Sequence, residues 1–578
     1  MNKLDEYRAG TGPIPERMLR WHFYGNGLEG LRLEEVAVPV PGPHELLVRQ
    51  DANGICFSDI KVITLGENHP RLQGRDLSRR PVTLGHEVSC TVVKVGSELA
   101  DRFHVGQRFI IQADVFYKGV SMAYGYVFPG GLSEYSIIPM EMIEGDEGCY
   151  LVPINPADGY VEAALVEPWA CVVSAYMQAH RSALKPGGRL LVIEGEGASQ
   201  VDCAGMVTPS SKPAEVTVIG SCTGVVGAGL EILGSEEVVE LATVADWAEL
   251  KQAHTVGKGF DDILILGAVA PEVVEMAATT LADHGVFAVI SDRLFPRKLS
   301  LDIGRVHYNW HHYVGTTSRK AADAYREVRG AELKEGGVAW FIGAGGPMGQ
   351  MHVQRAVMLP HPPRRIVASD IDSERLQSVA DRFRATATKR GVDLVLLNPR
   401  TMDAQSFDAE LNRLSEGRGF DDIVSLVPVP ALIEHASGFL AQGAWFNIFA
   451  GVARGIMAQL DYNAILQRGV RYVGSSGSSL ADMRQALEKM ETGQLDTNMS
   501  LAAIGGMKAA REGIRAVKEA RFPGKTVIFP LIHDLPLTPL PELKHFYPSV
   551  AAKLKDGQFW TREAEEELLR LTLGSSGA

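Results

Sequence analysis

A glycine-rich turn between two predicted strands constrains this 578-residue chain more than any other feature. Val338 to Ile342 is a short apolar run, which predicts a buried strand. Glycine lets the backbone turn sharply and approach a phosphate closely. The turn that follows the strand contains Gly343, Gly345, Gly346, Pro347, Met348 and Gly349. Gln350 to Leu359 then predicts a helix whose amino end would face that phosphate.

A second predicted strand, Arg365 to Ser369, ends at Asp370. An acid about 20 residues after the glycines can accept hydrogen bonds from a ribose 2′-hydroxyl. A glycine motif alone is weak evidence, but strand, turn, helix, strand and acid stand here in order and predict a dinucleotide-binding unit. Asp370 favours NAD because its charge would repel a 2′-phosphate, and the nearby Arg375 leaves NADP open.

The composition limits the class of protein. A prior of about 150 residues per domain allows three or four domains. Hydrophobic residues make up 46% and charged residues 22%, which is ordinary for a globular protein with its own core. The net charge of −13 argues against nucleic acid as a partner. The sequence shows no long apolar run, no apolar amino-terminal segment and only six scattered cysteines, so we expect a reduced cytoplasm and no membrane.

The first 180 residues are strand-rich and predict a small β-barrel-like domain that carries four motifs. These are GICFSDIK at 54–61, TLGHEVSCTVVKVGSEL at 83–99, GGLSEYSIIP at 130–139 and AALVEPWACVVSAYMQA at 163–179. They supply one thiolate, one imidazole and two carboxylates: Cys56, His86, Glu87 and Glu167. This mixture suits a zinc site with one position open for substrate, although each motif alone is also typical of a turn or a buried core residue.

The order and the residues of these motifs resemble the zinc-dependent medium-chain dehydrogenase/reductase family. The segments that carry the resemblance are GICFSD, LGHE, VGSEL, GGLSEY and ALVEPWACV, followed by LKPGGRLLVI. Glu167, followed by Pro168, is similar to the sorbitol and polyol dehydrogenase branch. The resemblance covers about residues 30–200 and 335–530. It implies a GroES-like β-barrel catalytic domain and a Rossmann domain that binds NAD.

By this resemblance, Cys56 and His86 would ligate a catalytic zinc. Glu87 and Glu167 would be the third ligand and a close or exchanging partner, and the sequence leaves open which is which. Many relatives carry a four-cysteine lobe for a structural zinc. This chain has no cysteine between residues 91 and 148, so we predict no structural zinc.

The resemblance also implies that Ser58 would pass the substrate hydroxyl proton outward and that Asp59 would hold the loop. The family often has a histidine where this chain has Lys61. An unperturbed lysine keeps its proton near pH 7, so the outer relay would run through water or a ribose hydroxyl. The loop before His86 carries four arginines, which could hold a substrate phosphate or simply be solvated: Arg71, Arg75, Arg79 and Arg80.

The middle of the chain contains a repeat. GKGFDDI at 257–263 recurs as GRGFDDI at 417–423, and residues 187–200, 215–220 and 299–318 are similar to residues 336–349, 365–370 and 458–477. We therefore predict two consecutive Rossmann-like units, at about residues 188–330 and 336–478.

The two copies differ where a dinucleotide would bind. In the first copy Gln200 replaces the last turn glycine, and Gly220 stands where the second copy has Asp370. Because the ribose then loses its anchor, we expect the second copy to bind NAD and the first to be degenerate. The first could pack against the second, form an oligomer interface or hold another ligand. Three closely spaced histidines of the first copy resemble a metal-binding cluster: His307, His311 and His312. The parallel segment of the second copy has no histidine, which favours an ordinary structural element.

After the repeat, residues 479–535 predict two helices and a strand that return to the catalytic domain, and residues 536–578 predict a helical tail. That tail could pack on its own chain or contact another subunit. The predicted fold is α/β: a GroES-like catalytic domain over 1–187, a degenerate Rossmann-like unit over 188–330 and an NAD-binding Rossmann domain over 336–478.

The expected activity is zinc-dependent, NAD-linked oxidation of a polyol or sugar alcohol, or reduction of the ketose. One alternative is a reductase for a keto-sugar phosphate such as sorbose 1-phosphate. An alternative of another class is a protein that senses the NAD redox state without chemistry. The expected partners are a small-molecule substrate and further copies of the chain, as a dimer or tetramer.

Overall fold

The computed structural model describes residues 3–72, 74–220, 237–475 and 477–573. The chain forms two compact units, Met1–Ser174 with Gly346–Met351 and Gly477–Ala578, and Ala175–Gly345 with His352–Ser476. The amino-terminal segment of the first unit runs to Ser174. Residues after it are tied to the second unit: Asn447 donates a hydrogen bond to the Ala175 carbonyl, and Arg181 pairs with Asp262. Parts of the predicted first copy and tail, 221–236 and 574–578, lie outside the described residues.

The amino-terminal part of the first unit is mainly β-structure. Its strands are β1 Arg17–Phe23, β2 Leu31–Ala37, β3 Leu46–Gly54, β4 Glu87–Val95, β5 Arg108–Ile111, β6 Phe116–Tyr117, β7 Val120–Ser121, β8 Tyr135–Ile138 and β9 Leu151–Pro153. Its helices are α1 Lys3–Ala9, α2 Phe57–Leu65, α3 Met140–Ile143, α4 Tyr160–Ala164 and α5 Val166–Ser174. All nine residues of β3 are buried, because this strand lies inside the sheet between β4, β8 and a strand from the far end of the chain.

The first repeat copy forms a parallel six-stranded sheet. The strands of this sheet are β10 Arg189–Glu194, β11 Glu215–Ile219, β12 Glu237–Leu241, β13 Phe260–Leu266, β14 Leu281–Ile290 and β16 His312–Thr316; a further strand, β15 Leu299–Asp302, lies outside it. The described helices of this copy are α6 Trp247–Thr255, α7 Pro271–Ala278 and α8 Ile303–Tyr308. The strand order is β12-β11-β10-β13-β14-β16, which is the order of a dinucleotide-binding Rossmann sheet.

The second copy repeats this order as β19-β18-β17-β20-β21-β23. Its strands are β17 Val338–Ile342, β18 Arg365–Ser369, β19 Asp393–Leu397, β20 Phe420–Ser425, β21 Leu440–Ile448, β22 Met457–Leu460 and β23 Arg471–Val473. Its helices are α9 Pro347–Met358, α10 Ser373–Lys389, α11 Ala404–Leu414, α12 Pro430–Ala436 and α13 Tyr462–Arg468. Two consecutive Rossmann-like sheets in one α/β chain confirm the predicted fold class.

The carboxyl-terminal part belongs to the first unit and completes its main sheet. Its elements are α14 Leu480–Glu491, β24 Leu501–Gly506, α15 Ala510–Lys518, β25 Lys525–Phe529, β26 Thr538–Pro539, α16 Leu543–Phe546, α17 Pro548–Ala551 and α18 Arg562–Leu573. The resulting sheet has eight strands, with the path β26-β24-β25-β3-β4-β5-β9 and β8 paired to β3. None of the described helices is long and apolar enough to cross a membrane.

The last helix, α18, packs on its own unit. Leu568 and Leu569 lie in one buried cluster with residues of α1, α4 and β25. Glu565, on the same face, accepts hydrogen bonds from the backbone N–H groups of Tyr160 and Val161, at 2.6 and 2.8 Å. These are the first N–H groups of α4, which have no partner within the helix, so Glu565 acts as a cap supplied from the far end of the chain.

We expect Glu565→Ala to destabilise the protein by about 1–3 kcal/mol, because two buried N–H groups lose their acceptor. Burial raises the pKa of Glu565 to about 7. A carboxyl whose pKa is higher in the folded state favours folding below its unfolded pKa, and this contribution is lost as the pH rises through 7. The destabilisation measured by urea unfolding should therefore be larger at pH 6 than at pH 8. Glu563→Ala, an exposed change on the same helix, is the control and should leave the unfolding midpoint unchanged at both values.

Candidate active site

The pairing of β3 with β4 brings the first two sequence motifs together. In the antiparallel register Gly54 stands opposite Glu87, and Cys56 follows Gly54 by two residues. Gly54 makes room for the acid, since a Cβ at this position would lie 2.1 Å from Glu87 Oε2. His86 immediately precedes β4. Segments about 30 residues apart in sequence thus place a thiol, an imidazole and a carboxylate in one place.

Cys56, His86 and Glu87 form the group that fits a metal. One ligand atom from each lies within 4.8 Å of the other two, and no other such group of three occurs among the described residues. His86 and Glu87 are buried, and Cys56 is half-buried. Glu87 Oε2 is buried without a hydrogen-bond partner, which is costly unless a cation or solvent satisfies it. Thiolate, imidazole and carboxylate are all zinc ligands, so the residues present fit the ion that the sequence predicts.

Ser58 lies directly against this group. Its hydroxyl donates a hydrogen bond to Cys56 Sγ at 2.9 Å, and it stands 3.1 Å from His86 Nε2. Asp59, in the same first turn of α2, ties the two segments together. Its carboxylate accepts hydrogen bonds from the N–H groups of Cys56 at 2.9 Å and Gly85 at 3.4 Å. The loop-holding role expected of Asp59 agrees with these contacts.

Lys525 is the residue at this site that sequence reasoning missed. It begins β25, which pairs with β3, and its Nζ lies 2.5 Å from Glu87 Oε1 in a fully buried ion pair. The same Nζ donates a hydrogen bond to the Ile55 carbonyl at 3.1 Å. Burial alone would lower the pKa of Lys525, but the charges of Glu87 and Cys56 raise it above its ordinary value, so that the lysine stays charged. The only sequence signal was its place at the start of the returning strand.

Glu167 lies beside the group rather than in it. It is buried in the first turn of α5. Burial raises its pKa to about 7; the charges of His86 and Lys525 oppose this shift, and Glu87 adds to it. Its carboxylate is therefore close enough to interact electrostatically with the group, although the close three-residue cluster contains Glu87 and not Glu167.

Only one of the four loop arginines approaches this site. Arg71 forms an ion pair with Asp114 at 2.5 Å, and its guanidinium lies 5.0 Å from the centre of the Tyr126 ring. The ring of Tyr126 is in turn 5.7 Å from that of His86, centre to centre. Two of the others have partners away from the ligand group: Arg75 donates to the Arg80, Pro81 and Val127 carbonyls, and Arg79 lies near Asp76.

The glycine turn of the second copy has the local geometry expected after β17. Gly343 has φ +81°, a left-handed conformation that favours glycine. The N–H of Gly345 donates to Asp370 Oδ2 at 2.9 Å, and a Cβ on Gly345 would lie 2.6 Å from that of Arg375. Turn and acid are thus adjacent in the second unit.

The helix after this turn begins earlier than predicted. Helix α9 spans Pro347–Met358, so Pro347, Met348 and Gly349 form its first turn instead of extending the loop. Proline fits the first helical position because its fixed φ is already helical and its missing N–H needs no partner there. Residues 346–351 group with the first unit, whereas Gly343, Gly345, Asp370 and Arg375 belong to the second.

The three histidines of the first copy have structural surroundings. His307 Nδ1 lies 3.1 Å from the Ile448 carbonyl. Burial lowers the pKa of His311 to about 3 and that of His312 to about 4, so both are neutral in the folded chain. They do not form a metal-ligand cluster with other described residues.

Comparison with known proteins identifies the family. The profile of the alcohol dehydrogenase GroES-like domain matches residues 42–144. A mannitol-1-phosphate 5-dehydrogenase of Aliivibrio fischeri is 24% identical over 94% of this chain and 96% of its own. An uncharacterized protein of Escherichia coli is 32% identical over 51% of this chain and 73% of its own, and an L-sorbose 1-phosphate reductase of Klebsiella pneumoniae is 28% identical over 54% and 78%.

This chain belongs to the zinc-dependent medium-chain dehydrogenase/reductase family, and the GroES-like domain that the resemblance implied is confirmed. Its activity is that of an oxidoreductase of the zinc-dependent alcohol or polyol dehydrogenase type.

We expect Lys525→Met to weaken zinc binding about 10- to 100-fold, the effect typical of losing a group that orients a metal ligand. Without Lys525, Glu87 Oε1 loses the buried partner that holds this carboxylate in place. Competition with a chromophoric chelator measures the affinity. Lys508→Met removes an exposed ion pair with Asp534 from the same part of the chain and should change nothing. Cys56→Ser should abolish tight zinc binding. If Lys525→Met bound zinc with wild-type affinity while Cys56→Ser did not bind it tightly, the role of Lys525 would be contradicted.

Proposed function

We propose that this chain is a zinc-dependent, NAD-linked dehydrogenase that interconverts a polyol or sugar alcohol and the corresponding ketose. The observation that carries the proposal is the clustering of Cys56, His86 and Glu87 with Ser58 beside them. It stands in a chain whose second Rossmann copy also has the glycine turn and the acid of a dinucleotide site. A protein that only senses NAD would have no need for such a ligand group.

One zinc would be held by Cys56, His86 and Glu87, with Glu167 as its close partner. When bound, zinc supplies Lewis-acid polarisation of the substrate oxygen. Lys525 holds one oxygen of Glu87, and the other is buried without a hydrogen-bond partner. The chain has no cysteine lobe for a second, structural zinc.

Ser58 would move the hydroxyl proton of the substrate. Its Oγ touches two of the three ligand residues, so a hydroxyl bound beside them is within its reach. Beyond Ser58 the family often has a histidine, but Lys61 is exposed on α2. The outer proton path would therefore run through water or a ribose hydroxyl.

The second copy would hold the dinucleotide. Asp370 lies next to the turn at Gly345, and its carboxylate would accept hydrogen bonds from a ribose hydroxyl. Its negative charge favours NAD, and Arg375 beside the turn keeps NADP possible. The hydride chemistry itself belongs to the nicotinamide.

A phosphorylated substrate is the second candidate. Arg71 lies against Tyr126, whose ring packs near His86, so a guanidinium stands one aromatic ring away from the ligand group. His69 packs on the same ring at 5.5 Å. Two of the relatives are named for phosphorylated sugars or polyols. A keto-sugar phosphate reductase would use Arg71 to hold the phosphate.

We expect Ser58→Ala to lower kcat by about 10²- to 10⁴-fold, the usual contribution of a positioned proton-transfer group, while zinc content stays unchanged. Ser58→Thr keeps the hydroxyl and should retain most of the activity. NADH absorbance with a panel of polyols, each with and without a phosphate ester, measures turnover and narrows the substrate. Cys56→Ser is the inactive control. No turnover on any member, by protein that holds zinc and binds NADH, would overturn the polyol assignment.

Arg71→Met distinguishes the two substrate classes. If Arg71 holds a phosphate, KM for phosphorylated substrates should rise about 10- to 100-fold, since a hydrogen bond to a charged group contributes about 1.5–3 kcal/mol. The kcat/KM for unphosphorylated polyols should stay the same. Arg79→Met, an exposed arginine of the same loop, is the matched control. An equal loss on both substrate forms would mean that Arg71 only positions Asp114 and Tyr126.

A further inference from the structure

The two Rossmann-like copies are equivalent in the region where they meet. Each copy ends with a short strand, a helix and an edge strand: β15, α8 and β16 in the first, and β22, α13 and β23 in the second. Equivalent residues here stand 159 positions apart, as do Asp302 and Asp461, which cap α8 and α13 with the same side-chain contact. The backbone N–H of Ser300 is bound by Glu275, and that of its equivalent Gln459 by Glu434.

The strand pairing between the copies is centred on equivalent residues. Strands β15 and β22 are antiparallel, and Ser300 pairs with Gln459. On either side, Leu299 pairs with Leu460 and Leu301 with Ala458. Leu299 thus pairs with the equivalent of Leu301, and Leu301 pairs with the equivalent of Leu299. This exchange is what a twofold axis through the Ser300–Gln459 pair requires.

The contacts away from this axis are reciprocal. Gly315 of β16 faces α13, so that a Cβ would lie 2.6 Å from Leu466 Cδ2. The equivalent Gly474 faces α8, and a Cβ there would lie 2.7 Å from His307 Cα. His307 and Leu466 are themselves equivalent. Each copy thus has a glycine, in β16 or directly after β23, at the point where the helix of the other copy packs against it.

A second reciprocal pair lies at the starts of these two helices. The side chain of Asn463 exchanges two hydrogen bonds of 2.9 Å with the backbone of Phe295. Its equivalent, Gly304, packs against the backbone of Ala453 and Arg454, and Arg454 is the equivalent of Phe295. The chemistry differs but the positions correspond, as expected of two copies that diverged while keeping the same interface.

The interface between the copies is a shared hydrophobic core. Leu301, Ile303 and Val306 of the first copy lie in one buried cluster with Leu460 and Ile465 of the second. Tyr462 adds a hydrogen bond from its hydroxyl to the Val314 carbonyl at 2.9 Å. These side chains are buried within the chain, so this face is not available to another subunit.

The first copy has also lost the turn that would bind a dinucleotide. Glu194 and Glu196 stand where the second copy has Gly343 and Gly345. The Glu194 carboxylate fills the space beside Gly220, and Glu196 forms a two-pronged ion pair with Arg293. Two acids at this turn would repel a pyrophosphate. Residues 195–214, all described, contain only a 3-10 turn in place of the helix whose amino end would bind phosphate.

We propose that residues 188–330 serve as a built-in partner subunit for the nucleotide-binding copy. The two copies form an isologous pseudo-dimer within one chain, joined through β15, α8 and β16 on one side and β22, α13 and β23 on the other. The first copy covers an apolar face that a single copy would have to bury against a second chain. Any homo-oligomer of this protein must then use other surfaces. The interface between the copies does not depend on the proposed function. Only the statement that the first copy binds no NAD rests on the proposed function.

A disulfide at the centre of the pairing tests this directly in the full chain. Ser300 is half-buried and Gln459 is exposed. The backbone N–H of each donates to a glutamate of its own copy, so neither N–H donates to the paired strand. In such a pair the Cα atoms lie about 4.5 Å apart, within the range a disulfide spans. Oxidised Ser300→Cys/Gln459→Cys should form a bond within one chain at every protein concentration. Peptide mapping separates this bond from any made by native cysteines.

The single variants distinguish an internal pair from pairing between chains. If two chains met through either copy alone, Ser300→Cys or Gln459→Cys would face itself across the axis and give a covalent dimer. We expect neither variant to do so. A covalent dimer from a single or the double variant, or no 300–459 bond in the folded double variant, would overturn the proposal. In the wild-type protein, hydrogen exchange of residues 299–308 and 457–468 should be independent of dilution; protection lost on dilution would overturn it too.

Discussion

The antiparallel pairing of β3 with β4 is the interaction on which the candidate active site depends. It sets Gly54 opposite Glu87 and so brings the residues after β3 to those before β4. On the other side of β3, β25 supplies Lys525 from the far end of the chain. A single fully buried strand thus positions the thiol, the imidazole, the carboxylate and the lysine, and Asp59 fixes the loop that leaves it.

The balance of buried charge explains why this place suits a cation. A thiol and two carboxylates, from Cys56, Glu87 and Glu167, are gathered around one buried lysine. Lys525 neutralises Glu87 in part, yet burial still raises the pKa of Glu167 to about 7. Buried like charges are costly unless they are paired or bind a metal. A divalent ion held by Cys56, His86 and Glu87 would pair with the Glu87 oxygen that has no hydrogen-bond partner and so lower the cost of burying it.

The two Rossmann-like copies show which features a sheet of this kind needs for folding and which it needs for binding. Both keep the strand order and the apolar core, because these bury the sheet. Only the second keeps the glycine turn, the following helix and the acid at Asp370. In the first, Glu194 is the last residue of β10 and Glu196 follows two residues later, so the two acids replace the turn glycines while the sheet keeps its strand order. Selection on the first copy could therefore favour its contact with the second after dinucleotide binding was lost.

Much of the chemistry was readable from the sequence because it resides in short segments. The order of the motifs around Cys56, His86 and Glu167 indicated the family, and the strand, turn, helix and acid around Asp370 indicated the dinucleotide unit. The repeat was visible in GKGFDDI and its second occurrence. Local patterns also predicted the α/β fold, since apolar runs and glycine turns act through neighbouring residues.

Contacts between distant segments could not be read in this way. The sequence left Glu87 and Glu167 as equals; the strand register placed Glu87 in the cluster and buried it against Lys525, 438 positions away. The sequence offered no reason to prefer one of the four loop arginines as a phosphate ligand. In the fold, the guanidinium of Arg71 lies over the ring of Tyr126. The sequence by itself determined which side chains and which folding units this protein has. Only the tertiary structure decided which of them meet, because strand register and the packing of the two copies depend on burial summed over the whole chain rather than on any local pattern.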